Sequence, residues 1–342
     1  MAKRLVVFNH KGGVSKTTSA YNIGWMIAKN HRVLLVDADS QCNLTALILG
    51  DDFEKYYSED ETKAQNIKDG VSAAFDGKPI PISAVSCSSP VRCPNLCVLA
   101  GHANLSEYDA ALTFAQTSNN AITTLQNLPG AFAELIRLTE IRYDIEFTII
   151  DLNPSLSSIN QNLFLIANAF IIPTNPDPFS IKALETLKAV LPRWVLWKRS
   201  SIELFENSAY PIPVGTPKFL GTLIQRFNIR KGKAARPYRD NIAEIKATVS
   251  NEVFAAFSGA GMTLSAAEYG ALVGENYCLG EIPDFQGLLP KSYEAGVPVF
   301  ELTDEEIRET GPILEGFQER RAFFLKQFEE ISEKVVSGMA HA

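Results

Sequence analysis

Two lysines, two threonines and a pair of glycines crowd one short stretch, Asn9-His10-Lys11-Gly12-Gly13-Val14-Ser15-Lys16-Thr17-Thr18. Together these residue types can hold a polyphosphate. Gly12 and Gly13 leave room for backbone N–H groups to approach oxygen atoms closely, which a side chain would block. Lys16 is spaced to reach β- and γ-phosphates, Thr17 to ligate Mg²⁺ through its hydroxyl, and Thr18 to add a donor near the α-phosphate. The strict pattern G-x-x-x-x-G-K-[ST] is broken at both glycine positions, which hold His10 and Ser15. Lys11 is a second cation inside the loop, with no use as a spacer.

A phosphate loop needs a strand before it and a helix after it. The apolar run Leu5-Val6-Val7-Phe8 precedes this one, and Ala20, Ile23, Ile27 and Ala28 follow at helical spacing, so the stretch reads as a strand-to-helix turn facing an anion. The run Val33-Leu34-Leu35-Val36 ends in Asp37 and Asp39, and Phe147-Thr148-Ile149-Ile150 ends in Asp151. Further runs are Leu96 to Leu99, Phe170 to Pro173, Phe219 to Ile224 and Leu279 to Ile282. Unbroken apolar strands of this kind suit a parallel sheet buried on both faces, and open sheets bind ligands beyond the C-terminal strand ends, where these acids fall. Helical spacing marks Ile67 to Phe75 and Ala121 to Arg142, and Ser180 is placed to cap a helix from Ile181 to Val190.

With Lys11 included, the loop carries K-G-G-x-x-K-T-T and resembles the deviant Walker A sequence of the ParA/MinD family of ATPases. Ser15 departs from that pattern, since most members carry glycine there. The segment Asp37 to Asn43 is similar to the family's D-x-D-x-Q-x-N signature, and Asp151 at its strand end resembles a Walker B acid. The resemblance implies a doubly wound α/β fold with a mostly parallel sheet and helices on both faces. It implies ATP and Mg²⁺ as cofactors. Backbone and side chains from Lys11 to Thr18, Val14 and Ser15 included, would cradle the phosphates. Thr17, Asp37 (through a water) and Asp151 would serve the metal, and Asp39 would orient the hydrolytic water. Asn153 to Ser158 would sense the γ-phosphate. Pro283 and Asp284 would border the adenine, with Asn228 as a further candidate. Lys11 would cross to the phosphates of a facing subunit, so a homodimer forms in the ATP state.

The chain has 342 residues, is 46% hydrophobic and carries a net charge of −7, which supports a buried core and argues against a protein coated in nucleic acid. No charged-then-apolar leader and no apolar run of about 18 residues is visible, so a soluble cytoplasmic protein without membrane attachment is expected. From Asn207 to Arg239 there is no acid, yet Arg226, Arg230, Lys231, Lys233 and Arg236 fall there, a candidate surface for non-specific DNA. Cys87, Cys93 and Cys97 lie close together, but at a spacing that matches no metal pattern. The whole chain, residues 1–342, reads as one ATPase domain with insertions near 51–95, 198–216 and 247–277. A C-terminal helix over 312–336 docks its Phe317, Phe324, Phe328, Ile331 and Val335 stripe on the core. The resemblance implies a plasmid or chromosome partition switch that is nucleoid-associated when ATP-bound and reset by slow hydrolysis under a ParB-like partner. An orphan relative that positions another cargo or acts in defence uses the same chemistry. A metabolic ATP-dependent enzyme of the same fold is the more distant alternative.

Overall fold

A computed structural model describes residues 2–117, 125–230 and 233–342. Seven strands form one parallel sheet in the order β3-β2-β4-β1-β5-β6-β9. They are β1 (Lys3–Val7), β2 (Val33–Ala38), β3 (Leu96–Leu99), β4 (Phe147–Leu152), β5 (Ala169–Thr174), β6 (Lys218–Gln225) and β9 (Cys278–Ile282). A small antiparallel hairpin, β7 (Ile229–Arg230) with β8 (Lys233–Ala234), follows β6. Strands β2 and β5 are buried along their whole length, as unbroken apolar runs require in a sheet covered on both sides. The register sets Asp37 beside Asp151, at the ends of β2 and β4.

Adjacent residues of one strand show the two layers. Phe219 packs edge-on against Phe257 and near Phe170, while its neighbour Leu220 meets Gly338 of the C-terminal helix. On the latter side the helix Lys16–Ala28 also packs, with Gly24 pressed so closely on Leu35 that a Cβ would collide with it. On the other side Phe8, just past the end of β1, interlocks with Phe164 and Trp194 of the helices Ser158–Leu165 and Pro178–Ser201.

Several helix limits follow local chemistry. Asn66 accepts from the N–H groups of Lys68 and Asp69 and so starts the helix Ile67–Phe75 where the spacing predicts it. Thr303 and Glu306 form a reciprocal capping box. The predicted cap at Ser180 is corrected: Asp177 accepts from the Ser180 N–H at 2.8 Å, and the helix runs from Pro178 to Ser201 with Pro192 inside it. The helix expected from Ala121 spans Leu128–Arg142, and residues 118–124 lie outside the described ones.

Of the segments expected as insertions, 247–277 is built into the core rather than laid over it. It buries Val249, Val253, Phe257, Met262 and Tyr269. The stretch after Phe75 returns along the sheet edge, where Ser88 bridges Val98 of β3 and so covers an otherwise open edge strand. The C-terminal helix spans Gly311–His341, longer than 312–336, and its predicted stripe is buried against the sheet.

That burial separates two phenylalanines on one helix. Phe328 is fully buried and Phe323 is 41% exposed. Phe328→Ala should cost about 3–5 kcal/mol and Phe323→Ala less than about 1 kcal/mol in denaturant unfolding. Equal losses would mean that the helix does not dock by this face.

Candidate functional site

The loop between β1 and the first helix is held by side chains from the strands beside it. Asn9 donates to the Pro173 carbonyl at 2.9 Å and accepts from the Lys11 N–H at 3.0 Å. Asn175 donates to the Gly13 carbonyl at 2.9 Å, and Gln225 donates to the Ser19 hydroxyl at 2.7 Å. Neighbouring strands β5 and β6 therefore fix the loop from outside, leaving its interior to a ligand. Ser15 sits immediately before the helix with φ 59°, in the left-handed region. Glycine tolerates that conformation freely, whereas a side chain costs about 1–2 kcal/mol there. This is the physical content of the departure at Ser15: the loop keeps its shape under strain.

The two lysines occupy different surroundings. Lys16 is 7% exposed and reaches back toward the Lys11 carbonyl at 3.4 Å. Burial lowers its pKa, opposed by the nearby carboxylates of Asp151 and Asp39. Lys11 points the other way and is clamped by Asp177, at 2.5 and 2.7 Å from its carboxylate oxygens, with the Ser180 hydroxyl at 3.0 Å. The capping residue of the helix Pro178–Ser201 thus also holds the loop's second cation.

The three acids differ as sharply. Asp37 is fully buried and both its oxygens are engaged, one by the Asp39 N–H at 3.2 Å, the other by the N–H and hydroxyl of Thr45 at 2.8 and 2.7 Å. Burial raises its pKa to about 6 despite those hydrogen bonds. Asp39 accepts from the Gln41 N–H at 3.0 Å and shapes the turn after β2. Asp151 is 1% exposed, and neither of its oxygens has a hydrogen-bond partner among the described residues. Burial, followed by the neighbouring Asp37 charge, pushes its pKa well above the carboxylate range, against the pull of the Thr17 hydroxyl and Lys16.

A buried, unpartnered carboxylate beside a threonine hydroxyl and an ammonium fits a hydrated divalent cation. No cluster of three or more His, Cys, Asp or Glu is arranged for a metal among the described residues, so the fit is to an ion such as Mg²⁺ that takes most of its ligands from water and phosphate. The cavity in front of the loop holds about 700 Å³. Its walls include Gly12 to Thr18, Asp39, Pro154, Pro283, Asp284, Phe285 and Tyr293. Behind Pro154, Asn160 ties down the loop after β4 by donating to the carbonyls of Asn153 and Ser155 at 2.9 and 2.8 Å, while Ser157 caps the next helix.

Of the sequence-predicted residues, Gly12 to Thr18, Asp39, Arg226, Pro283 and Asp284 line this cavity, whereas Lys11, Asp37, Asp151, Asn228, Arg230 and Arg236 do not. Asn228 is exposed just before β7, where its carbonyl accepts from the Ala235 N–H at 2.8 Å, and it does not line the cavity. Arg226, itself exposed like Arg230 and Arg236, lies against the phosphate loop and donates to the Gly13 carbonyl at 3.1 Å. Lys231 lies outside the described residues, and Lys233 belongs to β8. Sequence reading missed Asp177 as a partner of the loop and named Arg226 only as a candidate DNA contact, because only the fold brings both to the loop.

The buried Asp151 has a pH signature. Its folded-state pKa is raised, so between the ordinary carboxylate range and that raised value the folded chain holds a proton that the unfolded chain has lost, and stability falls as pH rises. In EDTA without nucleotide, Asp151→Asn should melt higher than the parent at pH 7, with the difference shrinking toward pH 4. A variant that melts lower at pH 7 would show the carboxylate to be stabilising as it stands.

A family model described as an AAA domain matches residues 2–203. The chromosome partitioning protein ParA of Caulobacter vibrioides is 29% identical over 191 residues, covering 55% of this chain and 62% of that one. The chain spans less than two thirds of the length of the curated relatives it matches. A putative plasmid partition protein of Borrelia burgdorferi, solved bound to AMPPNP, superposes with a TM-score of 0.53 at 19% identity over 95% of this chain and 99% of that one. The pNOB8 ParA bound to nonspecific DNA gives 0.53 at 18% identity over 99% of each chain. At such identities the two structures bear on the fold alone. The AAA-domain match, the ParA relatives and a phosphate loop that carries both Lys11 and Lys16 identify the chain as a member of the ParA/MinD family of deviant Walker A P-loop ATPases.

Proposed function

We propose that this chain is an ATP-dependent dimerisation switch of the ParA type, which binds ATP and Mg²⁺, pairs with a second copy, engages non-specific DNA and is reset by slow, partner-stimulated hydrolysis. Partition of a plasmid or chromosome is the cargo function that the ParA relative's name suggests. The observation that carries the reading is the opposed placement of the two loop lysines, Lys16 buried among Asp39 and Asp151 and Lys11 clamped outside the cavity by Asp177.

In this reading Lys16 and the N–H groups from Gly13 to Thr18 bind the β- and γ-phosphates of ATP. Thr17 and Asp151 hold the metal, with Asp37 behind them. Since Asp37 is saturated by Thr45 and Asp39, its part is to fix the turn and supply negative charge rather than to ligate directly. When bound, Mg²⁺ would supply charge neutralisation at the phosphates. Asp39 positions the attacking water in the same cavity. The loop after β4, tied by Asn160, lies where a γ-phosphate would be felt through Pro154.

Lys11 can serve a facing subunit only after leaving Asp177. Dimerisation therefore has a local cost, the breaking of a charge-assisted contact, which the second nucleotide's phosphates replace. Exposed Arg230 and Arg236, with Lys231 and Lys233 between them, form the proposed DNA surface on an otherwise acidic protein. The docked C-terminal helix leaves its apolar stripe unavailable to a membrane.

ATP turnover with and without DNA tests the whole scheme. Lys16→Ala should abolish ATP binding. Lys11→Ala should keep ATP affinity within about tenfold, roughly 1.4 kcal/mol, yet stay monomeric with ATP in light scattering and lose turnover. A normal ATP-dependent dimer in that variant would show that Lys11 is an ordinary loop residue.

Replacement of Arg230 and Arg236 by Glu should remove DNA binding at unchanged ATP affinity. DNA held by the double variant with the parent's salt dependence would show that these charges are only solvated surface.

A further inference from the structure

The buried acid at the end of β2 is held by a line of hydrogen bonds that begins far from the phosphate loop. Thr45, in the helix Asn43–Leu49, donates twice to one Asp37 oxygen, through its N–H at 2.8 Å and its hydroxyl at 2.7 Å. The same hydroxyl oxygen accepts from the Gly101 N–H at 2.9 Å, and the Gly101 carbonyl accepts from the Tyr57 hydroxyl at 2.7 Å. Residues from four separate stretches thus form one series, Tyr57 to Gly101 to Thr45 to Asp37, and each link donates toward the carboxylate.

Gly101 is the tight point of that series. It follows β3, where Asn66 bridges Ala100 and the Ile67 N–H donates to the Ala100 carbonyl at 2.9 Å. A Cβ at residue 101 would stand 3.0 Å from the Asp37 carboxyl carbon and 3.1 Å from Cys42 Sγ. The glycine therefore lies against the carboxylate itself, and in an interior packed this closely a shift of one displaces the other.

Tyr57 does not need its hydroxyl for packing. Its ring meets Phe53 and Tyr56 edge-on, with centroids 5.2 and 5.3 Å away, contacts that require only an aromatic face. The helix that carries it, Phe53–Ser58, lies at the surface, with Glu54 and Lys55 exposed. Burial holds the phenol well above its ordinary pKa, so at neutral pH it stays protonated and donates.

We propose that Tyr57 is a positioning residue for the metal-binding acids: acting through Gly101 and Thr45, its hydroxyl fixes the place of the Asp37 carboxylate beside Asp151. The inference rests on the nucleotide and Mg²⁺ reading above and deepens it, since a surface helix outside the phosphate loop then tunes the metal site. Groups one hydrogen bond behind a metal site set the orientation of its acids, and their loss weakens the cation more than the rest of the ligand.

The test is calorimetric titration with ADP, first in EDTA and then over a series of Mg²⁺ concentrations. It compares the parent with Tyr57→Phe, Thr45→Ser, Thr45→Val and the double variant Tyr57→Phe/Thr45→Val. In EDTA all of them should bind ADP as the parent does. Half-maximal tightening by Mg²⁺ should need about threefold more of the cation in Tyr57→Phe and about tenfold more in Thr45→Val, with Thr45→Ser near the parent. The double variant should match Thr45→Val, because the tyrosine acts only through the hydroxyl already removed. Additive losses would make Tyr57 an independent structural contact and overturn the proposal. So would a Tyr57→Phe that melts lower in EDTA with an unchanged Mg²⁺ requirement, one that matches the parent in both, or one that weakens ADP equally with and without Mg²⁺. Tyr57→Phe keeps the ring and its contacts, so it decides the matter even if Thr45→Val does not fold. If the parent binds no ADP, or binds it no better with Mg²⁺, the reading beneath fails, an outcome distinct from an unchanged Tyr57→Phe in a parent that responds to the cation.

Discussion

The constraint that organises this molecule is electrostatic: the parallel sheet brings carboxylates and an ammonium to one place and removes most of the water around them. Asp37 and Asp151 are register partners on β2 and β4, and Lys16 enters from the loop after β1. Burial alone disfavours every charge in that set. Asp37 is accommodated by three hydrogen bonds, and Lys16 by the acids near it, but neither oxygen of Asp151 has a hydrogen-bond partner among the described residues. Such an arrangement is poor as architecture and suitable as a receptor, because the missing ligands are those that a hydrated cation and a polyphosphate bring. The surrounding sheet, with its largely apolar and buried strands, supplies the rigidity that keeps these groups apart until then.

Strain and tethering extend the same logic to the loop. Ser15 holds a conformation that favours glycine, and Asn9, Asn175, Gln225 and Arg226 hold the loop from outside. None of these contacts fills the interior of the cradle. Lys11 is the exception to rigidity. Its partner Asp177 belongs to another element and is two-thirds buried, so the contact can be exchanged for another anion without disturbing the core.

Local patterns made the strands, the phosphate loop and the acid positions legible, because each depends on residues adjacent in the chain: an apolar run followed by Asp, or glycines followed by Lys-Thr. The capping box at Thr303 and the helix from Ile67 to Phe75 were readable for the same reason. Errors and omissions fell where a distant element decides. Ser180 is a plausible cap by type, yet Asp177 takes that place and also binds Lys11, a contact between residues far apart in sequence. Arg226 reads as one more charge in an acid-free run, and only the approach of β6 to the loop shows where its side chain goes. The segment 247–277 reads as an insertion relative to compact relatives, and no local signal shows that its Phe257 packs against Phe170 of β5 and Phe219 of β6.

The pairing of the helix Lys16–Ala28 with the helix Gly311–His341 has a consequence for how the protein is made. The first of these is synthesised well before the second, and they share one layer over the sheet. Until the later helix arrives, that layer is half built and the apolar surface under Phe328, Ile331 and Val335 has nothing to cover it. Contacts of such long sequence separation form slowly, since a large loop must close before they contribute. A nascent chain carrying a finished phosphate loop but an uncovered sheet face is the species most exposed to aggregation, and the one on which a chaperone would act.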